Sequence, residues 1–300
     1  MRILITGGAG LVGRSLLGTI DHGKHLVTVI DKDARALNFL KKEYPSVEYV
    51  HSDLGEEDAL SSHHPNYDIV VLLQAQIKGL YYSDFEKNTI LSTQNLITHL
   101  SKQEKIPYVI HVSSSVINSK ADDFYTRSKR KQEDLVRASI FKHIILRPTL
   151  MYGEGDSKHF YVLLKLMHKL PFFPMPGLGH FIRQPLFAND FAGVINDCIE
   201  KPKVGTFNIS GLELITFKDC LIRFRRRYNI FSVIVPIPLF FFRMMLKVVG
   251  KVLKNPPFTS QQLDALVIPE TFERIDWPKI FSTTYTTFDD GIKQFDYKIK

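Results

Sequence analysis

Tyr125-Thr126-Arg127-Ser128-Lys129 sets a phenol and an amine four residues apart. On a helix that spacing puts both side chains on one face. An ammonium beside a phenol stabilises the phenolate, so Tyr125 would exchange protons nearer neutral pH than a free tyrosine. YxxxK alone is common and is most often a surface pair. Here an apolar run precedes it and ends in Val112-Ser113-Ser114-Ser115, at the edge where open α/β sheets bind ligands. A hydroxyl at that edge would hold a substrate oxygen opposite the tyrosine. Hydroxyl, phenol and amine together interconvert a carbinol and a carbonyl, given a hydride carrier beside them.

Residues 6–13 point to that carrier. Thr6-Gly7-Gly8-Ala9-Gly10-Leu11-Val12-Gly13 follows the apolar run Ile3-Leu4-Ile5 and opens a helical pattern. Glycine serves where the chain bends with positive φ and its backbone must approach a ligand. The helix that follows directs free N–H groups at a diphosphate. Asp31 ends the next run, Leu26–Ile30, about twenty residues on, as a dinucleotide site requires. Its carboxylate suits the two hydroxyls of an adenosine ribose and would repel a 2′-phosphate, which favours NAD. Arg14, Lys32 and Arg35 lie near enough to leave NADP open. A second acid, Asp53, follows the run 47–52, where it would meet the adenine edge.

These groups need a scaffold. Strand patterns fall at 2–6, 26–30, 47–51, 68–73, 108–113 and 143–147, and helical patterns at 11–20, 33–42, 85–103 and 124–138. The alternation predicts a parallel sheet covered on both faces. After about residue 155 the order changes, and Pro171, Pro174, Pro176, Gly177 and Gly179 mark a loop-rich stretch. The expected fold is α/β, a Rossmann-type doubly wound parallel sheet with a smaller C-terminal substrate-binding lobe. Residues 1–155 would form the NAD-binding domain and 156–300 the lobe, with 183–210 folding back onto the sheet.

The chain has 300 residues, 44% of them hydrophobic, enough for a substantial core. Cys198 and Cys220 form no CxxC pair or zinc spacing, and no metal is expected. With the first strand at the very start, the reading is cytoplasmic. The net charge of +8 is scattered, and no nucleic-acid module is found. Its densest run, Arg223–Arg227, reads as one solvated helix face. The apolar stretch 230–253 is broken by Pro236 and Pro238 and carries Arg243, Lys247 and Lys251, with Lys254 just beyond. It is too short and interrupted for a span. Packing inside the lobe, with Phe240-Phe241-Phe242 in its core, is favoured over contact with a membrane surface.

The motifs in order resemble the extended short-chain dehydrogenases/reductases of the NAD-dependent epimerase/dehydratase family, sugar-nucleotide-modifying type. TGGAGLVG, Asn88–Leu96, VSSS, YTRSK with Glu133 after it, LRPTLMYGEGD at 146–156, RQPLFANDFAGVI at 183–195 and GTFNISG at 205–211 carry the likeness. The resemblance implies Tyr125 as acid/base and Lys129 as the group that tunes it and holds the nicotinamide ribose. Ser114 or Ser115 would support the reacting oxygen, strand-end alignment favouring Ser114. Gly7, Gly10, Leu11, Val12 and Gly13 would cradle the pyrophosphate, with Asp31, Asp53 and Leu54 on the adenosine half. Gln74, Ala75 and Asn88 would complete the cofactor groove, and Arg183 would join Ser114 and Tyr125 on the substrate, at its diphosphate.

Departures bear on the substrate. Only about ten residues separate the serines from Tyr125, Leu150 stands where many members carry asparagine, and Gln74 replaces a small residue. The function expected is an NAD-dependent epimerase or dehydrogenase acting on a nucleoside-diphosphate sugar through a keto intermediate, in surface-polysaccharide synthesis. Because Ser115-Val116 replaces the usual acid–base pair, dehydration ranks lower. The alternatives are a reductase of a smaller or lipid-linked carbonyl compound, or a non-catalytic dinucleotide-binding subunit like that of respiratory complex I. A homodimer through 85–103 and the Tyr125 helix is the family's expectation.

Overall fold

The computed structural model describes residues 1–60, 66–156, 160–252, 260–268 and 271–297. The six apolar runs of the first half become β1 (Arg2–Thr6), β2 (Leu26–Asp31), β3 (Glu48–His51), β4 (Ile69–Leu72), β5 (Tyr108–Val112) and β6 (His143–Pro148). Short strands follow: β7 (Met151–Tyr152), β8 (Phe172–Pro176), β9 (Ile182–Arg183) and β10 (Leu186–Phe187). Then β11 (Gly205–Ile209) pairs with β6 at the sheet edge, while β12 (Ile215–Thr216) and β13 (Val233–Ile237) pair with β9 and β8. The main sheet runs β3-β2-β1-β4-β5-β6-β11, all parallel. Strand order reverses between β1 and β4, which opens a crevice at their carboxyl ends.

Alternation along β1 decides which helices cover which face. Ile3 and Ile5 pack with Val12 and Leu16 of α1 (Leu11–Leu17) on one side of the sheet. Leu4 faces the other side. After α2 (Ala34–Glu43), the predicted helix 85–103 proves to be three pieces: α3 (Tyr82–Phe85), a π-helical turn at Glu86–Leu91, and α4 (Ser92–Leu100). The Ser92 and Thr93 hydroxyls donate to the Asn88 and Thr89 carbonyls at 2.9 and 2.7 Å, which keeps the widened turn's acceptors satisfied. Leu96 and Leu100 of α4 and Val136 of α5 (Phe124–Arg137) fill the second face.

Beyond them lie α6 (Phe160–Lys169), α7 (Ala188–Glu200), α8 (Phe217–Arg227), α9 (Leu239–Val252) and α10 (Ser260–Val267). Phe191 and Ile195 of α7 and, from near the C-terminus, Trp277 and Phe281 join the core around α1. An aromatic cluster that includes Tyr152, Phe160, Phe224, Phe288 and Phe295 forms a separate core.

Two surface expectations are corrected. The arginine run of α8 is not one solvated face. Arg223 pairs with Asp289 at 3.1 Å, Arg227 with Asp296 at 2.9 Å, and Arg225 donates to the Ser232 carbonyl at 3.0 Å, leaving Arg226 exposed. The run staples neighbouring chain onto α8. Of Phe240-Phe241-Phe242, only Phe242 is buried, because successive helix positions point about 100° apart and one side of α9 is covered. Lys254 lies outside the described residues. Among those residues, no helix is long and apolar enough to cross a membrane.

Candidate active site

The Gly-rich turn is tight for steric reasons. Gly7 has φ +66° and its N–H donates to the Ile30 carbonyl at 2.8 Å. A Cβ at Gly7 would lie 2.7 Å from the Gln74 backbone, so β1 and β4 come this close only without one. At Gly13 a Cβ would fall 2.1 Å from the Gly8 carbonyl oxygen, which lets α1 rest directly on the turn. Gly10 is open by comparison, with only the Gly7 oxygen at 3.5 Å. The Asp31 carboxylate holds the arrangement: Ala9 N–H and Asp33 N–H each donate to it at 3.0 Å.

From this turn a groove of about 450 Å³ follows the strand ends. Gly7, Gly10, Leu11, Val12 and Gly13 form its floor, with Asp31, Asp53 and Leu54 on one flank. Gln74, Ala75, Asn88, Tyr125 and Lys129 line the rest. Lys32, whose ammonium donates to Asn88 Oδ1 at 2.6 Å, and Arg14 also reach it, whereas Arg35 is not on its wall. The sequence reading missed Gln76, Ser113, Gly155 and Asp156, which also line it. Gln76 accepts from Asn88 Nδ2 at 3.0 Å, a contact that no local pattern announces. The cradle fits a dinucleotide: backbone held open by absent Cβ atoms, a carboxylate beside it, and a long polar-edged trough.

At the far end stands the chemistry. Tyr125 is in the first turn of α5, whose N-cap Asp123 accepts from Thr126 N–H at 2.8 Å. Burial raises the Tyr125 phenol, and its hydrogen bond with Ser114 pulls the other way. Ser114 itself is off the groove wall but touches the tyrosine; Ser115 is buried in the 3₁₀ turn Ser115–Asn118 and does neither. Lys129 is buried, and burial lowers it to about 7. Its ammonium donates to the Val112 carbonyl at 2.8 Å and to Gln132 Oε1 at 2.5 Å.

Gln132, another residue the sequence reading missed, donates in turn to Thr93 Oγ1 at 2.8 Å and to the Gln74 carbonyl at 3.1 Å. The Gln74 side chain is tied to Thr6 and Thr93, so it packs under the groove floor. Glu133 is buried against Arg147; burial alone would raise its carboxyl, but the Arg147 hydrogen bonds hold it below the usual range.

Arg183 lies apart, on β9 in the C-terminal half. Its guanidinium donates to the carbonyls of Ile182, at 2.6 Å, and Leu266, and burial lowers it to about 10. It is therefore cationic at neutral pH but is not on the groove wall.

Asp31 offers a direct check of the cofactor reading. Asp31→Ala removes the acceptor for two loop N–H groups and the negative charge on the adenosine flank. A charged hydrogen bond contributes about 1.5–3 kcal/mol, so NAD affinity should fall roughly 10- to 100-fold by calorimetry. An unchanged affinity would remove Asp31 from the site.

Comparison with known proteins gives the family and the fold. The family model described as NAD dependent epimerase/dehydratase matches residues 3–210, and the chain belongs to that family. NAD is the cofactor. Among solved structures, UDP-glucuronic acid 4-epimerase from Bacillus cereus, with UDP-glucuronic acid and NAD, superposes with a TM-score of 0.72 at 20% identity, covering 98% of this chain and 97% of that one. The dTDP-glucose 4,6-dehydratase DesIV from Streptomyces venezuelae gives 0.76 at 17% identity, covering 98% and 95%. At these identities the likeness is one of fold. Subunit 9 of the NADH dehydrogenase [ubiquinone] 1 alpha subcomplex, mitochondrial, from Dictyostelium discoideum is 28% identical over 174 residues. That match covers 56% of this chain and spans 47% of the relative's length.

Proposed function

We propose that the protein is an NAD-dependent epimerase or dehydrogenase of a nucleoside-diphosphate sugar, working through a transient keto sugar. The carrying observation is that Tyr125 and Lys129 line the same groove as the Gly-rich turn, with Ser114 beside the phenol. Bound there, NAD supplies a hydride acceptor and, on return, a donor. Tyr125 takes the proton of the substrate hydroxyl as the carbon is oxidised, and Ser114 orients the oxygen and the phenol. Lys129, on the same wall, would hold the ribose of the dinucleotide and sets the electrostatics there. Return of a hydride to the opposite face of the keto sugar would give the epimer, and release of the ketone the dehydrogenase product.

Dehydration ranks lower, because Ser115 is buried in a 3₁₀ turn and Val116 has no acid–base group. The proposal gives Arg183 the substrate diphosphate in place of its backbone carbonyls. It also takes the active unit as a homodimer that supplies modified sugars for surface polysaccharide.

A second reading, a dinucleotide-binding subunit without turnover, is favoured by the likeness to the NADH dehydrogenase subunit. One experiment separates the two. The NAD-loaded protein is incubated with a panel of UDP- and dTDP-hexoses, and thermal shift and product masses are read together. A nucleotide-sugar shift with an isomerised or oxidised product supports the enzyme. NAD binding with neither shift nor product supports the subunit.

A further inference from the structure

One side of α9 is covered and another is not. Phe242 and Leu246 are buried with Leu263 of α10, and Ile237, Leu239 and Val267 surround them. Away from that seam, Phe240 is 71% exposed, Phe241 55% and Val248 59%, with Met244 and Met245 exposed beside them. At 3.6 residues per turn, Phe241, Met244, Met245 and Val248 share one outward arc. Arg243, Lys247 and Lys251 fill the arc between it and the seam, with Phe240 among them. Arg243 pairs with Asp264 at 2.8 Å, but among the described residues Lys247 and Lys251 pair with no carboxylate. From Ile230 to Leu253 the sequence contains no acid at all.

A continuous apolar strip on an outer helix face marks a contact surface. Its charge chooses the occupant. A second copy seated on the same strip about a two-fold axis would bring two sets of lysines together with nothing acidic on the face to neutralise them. A sheet of phosphate headgroups over hydrocarbon answers both features: lysines at the phosphates, phenylalanines and methionines at the acyl boundary. The helix has 14 residues and does not span, so it would lie in the plane.

We propose that this face of α9 docks the protein onto an anionic phospholipid bilayer, with Phe241, Met244 and Val248 inserted and Lys247 and Lys251 on the headgroups. The inference is independent of whether the active site turns over a sugar nucleotide.

Vesicle flotation tests it, with phosphatidylcholine alone and with phosphatidylglycerol added. The protein should float with the anionic vesicles and be released by salt. K247Q with K251Q should weaken partitioning about 30-fold, and Phe241→Asp with Met244→Asp and Val248→Asp should abolish it. Both variants change only exposed side chains, so NAD affinity and Tm should stay at the wild-type values. As a second measurement, Met244→Cys carries an environment-sensitive fluorophore, since the native Cys198 and Cys220 are buried. Its emission should shift to the blue on anionic vesicles. Absence of flotation, or flotation that both variants retain, overturns the proposal. So does an oligomer that the triple variant dissociates while the wild type ignores vesicles, which would make the strip a self-association surface.

Discussion

Tyr125→Phe should lower kcat at least about a thousandfold, at the upper end of what a positioned acid/base contributes, and leave NAD affinity within about twofold. The substitution removes one oxygen and keeps the ring that the first turn of α5 packs into place. Folding should barely change, because the ring stays in place and the lost oxygen lies on the groove wall, where Tyr125 is only part-buried. The contrast between intact binding and lost turnover is the informative result. Burial holds the phenol above its ordinary range, with Ser114 opposing, so the free protein presents Tyr125 as an acid. Turnover in the oxidising direction should therefore climb with pH as the phenol is more easily relieved of its proton. Single-turnover kinetics on the active sugar nucleotide would show both effects, and full activity in the phenylalanine variant would end the catalytic assignment.

Lys129→Met should have two opposed consequences: activity falls about a hundredfold or more, while the protein becomes more stable at and below neutral pH. The reason is burial. Among buried side chains Lys129 is one of the largest, and desolvation takes it from 10.5 to about 7. The unfolded chain holds that proton up to about pH 10.5, the folded chain only to about 7. In between, the unfolded state binds more protons, so this group's contribution to stability rises with pH. Below about pH 7 both states are protonated and the full cost of the buried charge remains. The stability difference between wild type and variant should move by up to about 5 kcal/mol across that window. Urea titrations at a series of pH values would read it. A difference that does not change with pH would show that the ammonium is better solvated than its contacts with Val112 and Gln132 suggest.

That lysine also shows where sequence reasoning stopped. The four-residue spacing correctly brings Tyr125 and Lys129 to the same groove. It led to an ammonium acting on the phenol; burial raises the phenol, with Ser114 opposing. The ammonium instead faces the end of β5 and Gln132, and Gln132 is one residue in a helix until Thr93 and Gln74 arrive from two other elements. The serines divide similarly. Three in a row at a strand end are indistinguishable by composition. Backbone direction sends Ser114 to the tyrosine, Ser113 to the groove and Ser115 into a buried turn. Arg183 was read from its place in a motif, and the fold puts it against backbone carbonyls in the C-terminal half.

The order of strands and helices, the Gly-rich turn and its acid partner were decided by local chemistry: apolar runs, glycines and a strand-end carboxylate act over short stretches of chain. Those features pointed to a dinucleotide site, and the motifs in their order to the family. Tertiary structure alone decided which serine meets the phenol, what the buried lysine touches, and which side of α9 is left facing water. Each of those depends on groups distant in sequence competing for the same few ångströms, and burial, unlike spacing, is a property of the assembled chain.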